Sequence, residues 1–322
     1  NTEYWYRAYA KYNFFSPIKQ TTSASWKESP QLQVVGDKIY YAWDGEDDNW
    51  WRQIWTAVSD LDGNNFIVTQ RTTSETDKES VQFQVVGTKI YFTWIEKINQ
   101  EYEIWTATMN TDGTGWSAIK QTTTTYLKRD PQLQVVGDTI YYTWYEHDNL
   151  TYGLGYDQIW VATSDLNGEN FTATKKTTSA HKKEYVQFQV VDTVIYYVWS
   201  EYDDSGEMQI WTATMNTDGS NWTATKQTTS ADIKYPPQLQ VVDTAIYYVW
   251  SEEDDAGYYQ IWTSGDYIAY GEWVKFTTEQ TTGEEEEEEE ETEETITFHK
   301  QINLQGRLTD SSGNAVADGD YN

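Results

Sequence analysis

The 322-residue chain sets 52 acidic against 22 basic residues, a formal charge of −30. Such a surface repels phosphate backbones and anionic bilayers, so no nucleic-acid partner is expected, and the lack of an apolar run of about 18 residues argues against membrane insertion. Cysteine is absent, which removes disulfides, thiolate metal sites and a cysteine nucleophile.

In chain order, Glu3–Ala10 and Phe15–Thr22 read as two strands. The second ends in Lys19-Gln-Thr-Thr22, as do later segments at Lys120-Gln-Thr-Thr123 and Lys226-Gln-Thr-Thr229. The chain therefore enters in mid-repeat. A Gln-x-Gln-Val-Val run, a two-residue turn and an Ile-Tyr-aromatic-x-Trp run then recur from positions 30, 81, 131, 186 and 237, at spacings of 51, 50, 55 and 51. In the first copy, strands are predicted at Gln31–Val35, Lys38–Trp43, Gln53–Val58 and Phe66–Thr72 (A to D). With 17 Trp, 26 Tyr and 9 Phe, the aromatic supply suits pleated surfaces buried on both sides. Four antiparallel strands per repeat predict an all-β propeller over residues 1–278. Six blades are favoured, the sixth shared by the chain ends or supplied by a neighbouring subunit. Five is the alternative.

The C–D hairpins have a pattern of their own: Asp62-Gly63, Asp112-Gly113 with Trp116, Asn167-Gly168, and Asp218-Gly219 with Trp222. They resemble the Asp-box of sialidase-like (BNR-type) propeller repeats. That resemblance implies a propeller with structural hairpins and no particular activity, since such boxes serve enzymes and non-enzymes alike. Independently of the family, Asp or Asn folds onto its own backbone, Gly takes a positive φ and the aromatic clamps the turn.

Beyond the repeats, residues 279–294 form an acidic linker containing Glu284 to Glu291, which should be self-repelling and extended. Residues 295–322 resemble the first strand of an immunoglobulin-like module of bacterial surface proteins. Ile296, Phe298, Ile302, Leu304 and Leu308 are its candidate subunit contacts. They suggest self-association by strand addition.

Candidate chemistry is sparse. The Gln-x-Gln amides should either ring a central channel or bond between blades, and the second is expected. The B–C loops place Glu46, Glu96, Glu146, Glu201 and Glu252 with Trp50 and Trp51 on one rim, facing D–A loop bases such as Lys78, Lys128, Lys183 and Lys234. These are candidate glycan contacts, although solvated ion pairs explain them as well. Calcium would need six to eight converging oxygens, so no cofactor is expected. His147, His181 and His299 lack metal-ligand spacing. A sialidase needs an arginine cluster, and Arg7, Arg52, Arg71 and Arg129 sit at non-equivalent positions. Glycosidases need carboxylates in distinct environments, whereas these acids recur from blade to blade. The expectation is a non-enzymatic, secreted or surface-displayed propeller that acts as a structural or adhesive subunit, with glycans or surface proteins as partners.

Overall fold

The computed structural model describes residues 19–98, 101–124, 126–148, 155–242, 245–254 and 257–266. They form a β-propeller of consecutive sheets. The first is β1 (Lys27–Val35), β2 (Lys38–Glu46), β3 (Arg52–Asp60) and β4 (Ile67–Gln70). The second is β5 (Asp77–Val86), β6 (Lys89–Ile98), β7 (Glu101–Asn110) and β8 (Ser117–Lys120). The third is β9 (Lys128–Val136), β10 (Thr139–His147), β11 (Asp157–Asp165) and β12 (Thr172–Lys175). The fourth is β13 (Lys183–Val191), β14 (Val194–Tyr202), β15 (Met208–Asn216) and β16 (Thr223–Lys226). The fifth shows β17 (Lys234–Val242), β18 (Ala245–Glu253) and β19 (Tyr259–Asp266). Each sheet is an antiparallel meander in chain order.

The A strands start about four residues earlier than the sequence pattern suggests. In each, a bulge interrupts the register just before the Gln-x-Gln run, as between Glu28 and Gln31. Ser29, Ser80, Asp130 and Tyr185 occupy the bulge with positive φ of 48–60°. Such bulges re-aim a strand end, here toward the rim.

Middle strands such as β10 are buried on both faces, because each sheet is sandwiched by neighbours. That is why Ile-Tyr-Tyr-Thr-Trp-Tyr reads as a nearly continuous apolar run. Adjacent sheets are joined by the second glutamine of each pair. Its side-chain oxygen accepts the N–H of the next blade's valine: Gln33 from Val85 (2.7 Å), Gln84 from Val135 (2.6 Å), Gln134 from Val190 (2.7 Å) and Gln189 from Val241 (2.7 Å). Gln31, Gln82, Gln84, Gln132, Gln134, Gln187 and Gln189 also line an open cavity of about 520 Å³. The interblade role expected for the amides is thus present, with a cavity beside it.

The C–D hairpins turn on Gly63, Gly113, Gly168 and Gly219, with φ of 74–84°. Asp112 and Asp218 accept backbone N–H bonds from Thr114 and Ser220. In the other two hairpins the carboxylate that shapes the turn comes two residues earlier: Asp60 accepts from Asn64, and Asp165 from Asn167 and Glu169. Sequence reasoning singled out Asp62 and Asn167 instead. The clamping rings stack within their own blade, Trp116 on Trp94 (6.0 Å) and Trp222 on Trp199 (6.1 Å), with Trp105 and Trp211 on the other side of those tryptophans.

Each hairpin carbonyl also receives a donor from the preceding repeat: Arg71 to Gly113, Gln121 to Gly168 and Lys176 to Gly219. Gln20 does the same to Gly63, at 3.1 Å. Residues 19–22 therefore occupy the place of a D-strand end ahead of the first full repeat, as their Lys-Gln-Thr-Thr motif predicts.

The end sheets differ from the interior ones. Val34 is 55% exposed where Val85, Val135, Val190 and Val241 are buried, and Ile261 is 75% exposed where Ile54, Ile104, Ile159 and Ile210 are fully buried. The proposed shared blade, the linker and the tail with Ile296, Phe298, Ile302, Leu304 and Leu308 lie outside the described residues.

Candidate functional site

The rim formed by the B–C and D–A loops is built from a repeated clamp. In blades two to five the B strand ends Trp-x-Glu, and the register sets that glutamate opposite a lysine of the A strand: Lys78 and Glu96, Lys128 and Glu146, Lys183 and Glu201, Lys234 and Glu252. All eight side chains are buried. The ammonium groups bond to D–A loop carbonyls, as Lys183 does to Ser179 (3.1 Å) and Lys234 to Ser230 (3.0 Å), and they pair with carboxylates at 3.5–3.6 Å in three of these blades. Trp144, Trp199 and Trp250 each donate an indole N–H to the glutamate two residues on. Burial pulls the Lys78, Lys183 and Lys234 amines below their usual range, opposed by the partner glutamates. Glu96, Glu146, Glu201 and Glu252 thus bond inside the protein and do not face a ligand, and their lysines form no solvent-facing collar.

One clamp is varied. Where the other C strands place Gln53, Gln158 or Gln209 against the loop carbonyls of Ser74, Ser179 and Ser230, the second blade places Glu103. That carboxylate takes Lys128 at 3.2 Å and Lys120 at 3.3 Å.

The B–C turns are likewise self-contained. Asp47 accepts N–H bonds from Asn49 and Trp51, and Asp203 accepts them from Ser205 and Glu207. Lys226 and these backbone donors hold Asp203 down to about 2. Among the described residues no cluster of three or more acidic or histidine groups could hold a metal.

Blade 1 breaks the pattern. Its B strand ends Trp43-Asp-Gly-Glu46, so Gly45 stands in the register position of the clamp glutamate, opposite Lys27. A Cβ at Gly45 would meet the Trp26 carbonyl at 3.1 Å and Lys27 Cγ at 3.3 Å, so the loop closes over the space a side chain would need. What results is a cleft of about 210 Å³ lined by Trp26, Glu28, Asp44, Gly45, Glu46 and Arg52. Arg52 bridges two blades through both terminal nitrogens, 3.2 Å to Glu28 and 3.1 Å to Glu79. Glu46 accepts the Trp26 backbone N–H at 3.2 Å and has no ion-pair partner among the described residues.

Asp44 stands where other blades have Ile95, Tyr145, Ser200 and Ser251. Its side chain is 1% exposed, and its Oδ1 has no hydrogen-bond partner. Burial raises its pKa from the ordinary aspartate value, against the opposing effects of the Ser29 hydroxyl and Arg52. Around the cleft Trp26 is 70% exposed, and Trp50 and Trp51 lie on the hairpin that carries Arg52, Trp50 at 74%.

Of the sequence-derived candidates, Glu46 lines this cleft and Trp50 and Trp51 stand at its edge, while Glu28, Asp44, Arg52 and Trp26 were missed as a group. The signal was there: the one B strand whose Trp-x-Glu is broken, next to an arginine that no other copy has.

No protein-family model and no curated protein sequence matches this chain. Solved structures do match by fold. A phage phi92 endosialidase is 11% identical, with a TM-score of 0.55 over 92% of this chain and 69% of its own. An α-L-arabinanase of Penicillium chrysogenum, complexed with arabinobiose, is 10% identical at a TM-score of 0.49 over 72% of this chain and 78% of its own. An endo-arabinase of Bacteroides thetaiotaomicron is 10% identical at 0.45, covering 76% and 95%. At these identities the likeness shows the propeller fold alone.

Proposed function

We propose that this propeller acts on a carbohydrate through the blade 1 cleft, as a glycoside-hydrolase-like protein. This replaces the expectation of a structural or adhesive, non-catalytic subunit. The similar structures are described as glycoside hydrolases and an endosialidase, and the acids are not all equivalent as the repeats implied. The observation that carries the reading is Asp44. It is a buried carboxyl whose pKa burial raises, at a position no other blade fills with an acid, beside carboxylates in other surroundings. Glu28 and Glu79 are ion-paired to Arg52, and Glu46 is not ion-paired.

Carboxyl groups pushed into different environments are what glycosidic cleavage asks for. In this reading Asp44 gives its proton to the leaving glycosidic oxygen, and Glu46 assists the attacking water or attacks directly. Arg52 fixes Glu28 and Glu79 across the blade junction. Exposed Trp26, Trp50 and Trp51 supply apolar faces on which sugar rings stack. A secreted setting follows from a glycan substrate.

The test is hydrolysis of a panel of oligosaccharides by the chain and by Asp44→Asn. Loss of cleavage by at least about 100-fold with binding retained supports the assignment. Binding without cleavage by the unaltered chain would leave a carbohydrate-binding propeller and remove the hydrolase.

A further inference from the structure

We infer, resting on the carbohydrate reading above, that the cleft selects a glycan carrying a protonated amine, and turns away glycans carrying carboxylates. The charges around it are unbalanced. Glu28 and Glu46 line it beside Asp44, with Arg52 as the lining cation. Lys27 stands opposite Gly45, and Glu79 and Asp77 are held to Arg52. Both cations are already engaged. The guanidinium gives one terminal nitrogen to Glu28 and the other to Glu79, and the Arg52 backbone N–H goes to Asp77 at 3.0 Å. Lys27 donates to the Ser23 hydroxyl at 2.6 Å and the Ser25 carbonyl at 3.0 Å. A carboxylated sugar would therefore meet several carboxylates and no uncommitted cation, and an arginine grip of the kind a sialidase needs is not offered here.

The second observation is independent of the charge count. Asp44 Oδ1, buried in the wall of the cleft, makes no hydrogen bond within the protein. A buried oxygen without a partner costs about 1–3 kcal/mol. Among the unpartnered buried atoms of the described residues, such as Ser200 Oγ at the same position of blade 4, this is the one carboxyl oxygen in the wall of the cleft, where a ligand's donor would complete it. An ammonium brings three donors and a positive charge, which suits an orphan acceptor flanked by Glu28 and Glu46. The exposed indole of Trp26 adds a face that attracts cations. A metal ion is a poorer occupant, since no three of the described acidic groups converge as ligands.

Calorimetric titration of the full chain at about pH 5.5, where amines hold their proton, tests this with three hexamers: β-1,4-linked glucosamine, its N-acetylated counterpart, and α-1,4-linked galacturonate. Glucosamine is expected to bind at least about tenfold more tightly than the acetylated hexamer, and galacturonate not to bind. In Glu28→Gln/Glu46→Gln that preference should shrink to within about threefold. Equal affinity for the free and acetylated amines overturns the inference and leaves the carbohydrate reading standing. A preference unchanged in the double variant also overturns it, by placing the attraction elsewhere, such as on Glu284 to Glu291. If no hexamer binds, this inference is overturned, and the carbohydrate reading is decided by the oligosaccharide panel above.

Discussion

Blades 1 and 4 share their strand order, bulge, hairpin and bridging glutamine, yet their rims are built for opposite ends. In blade 4 the carboxylate of Glu201 is sunk among Lys183, Ser179 and Trp199, and these groups hold one loop to one strand. In blade 1 Gly45 deletes that carboxylate, and the acids reappear one position either side, as Asp44 and Glu46, lining a cleft. Arg52 joins them from the C strand. The repeat describes the scaffold. The departure from it marks the place where something other than the scaffold is served.

That contrast can be broken in several ways. The largest effect should come from the clamp. Lys183→Met leaves Glu201 buried without its cation, so urea unfolding should show a loss of about 3–5 kcal/mol. An effect below about 1 kcal/mol would mean the clamp is not structural. Glu103→Gln should cost about as much, about 3–5 kcal/mol by the same measurement, because it takes from buried Lys128 its carboxylate partner at 3.2 Å. A loss below about 1 kcal/mol would show that Glu146 takes over that role. Next is Gln134→Ala, which strips the Val190 N–H of its acceptor between the third and fourth blades. A loss of about 1–3 kcal/mol is expected from the same measurement.

Asp44→Asn should act in the other direction. Because burial raises the Asp44 pKa in the folded state, folded Asp44 holds its proton more firmly than unfolded Asp44, so stability falls as pH rises from near 3.8 through the folded value. The variant removes that cost. It should melt higher than the parent at pH 7 and converge with it at pH values below about 4. A variant that melts lower at neutral pH would show that Asp44 is a structural carboxylate like Glu201.

The architecture was legible because it is written several times over. The Gln-x-Gln, Trp and Lys-Gln-Thr-Thr motifs each do one physical task per blade, as in Thr72, Thr122, Thr177 and Thr228. Their hydroxyls accept the N–H of Ile54, Ile104, Ile159 and Ile210. The rim was misread for the same reason. Recurrent glutamates in loops look like a repeated binding surface, and their sequence does not say that a lysine on the A strand of the same blade has already claimed them. Lys128 and Glu146 are adjacent only through strand pairing. The cleft was missed because it depends on absence: Gly45 matters for the side chain it lacks, and Asp44 for the burial that three neighbouring elements impose. In the hairpins, Asp60 and Asp165 displaced Asp62 and Asn167 because the first residue of the turn can reach two backbone N–H groups, or an N–H and an amide.

The claim that blade 1 alone is the working site is tested most directly by indole ¹⁵N spectra of the chain during titration with an oligosaccharide that binds. Trp26, Trp50 and Trp51 should shift, while Trp94, Trp144 and Trp199 stay in place, and Asp44→Asn should keep this response while losing cleavage. Shifts confined to other indoles would contradict it.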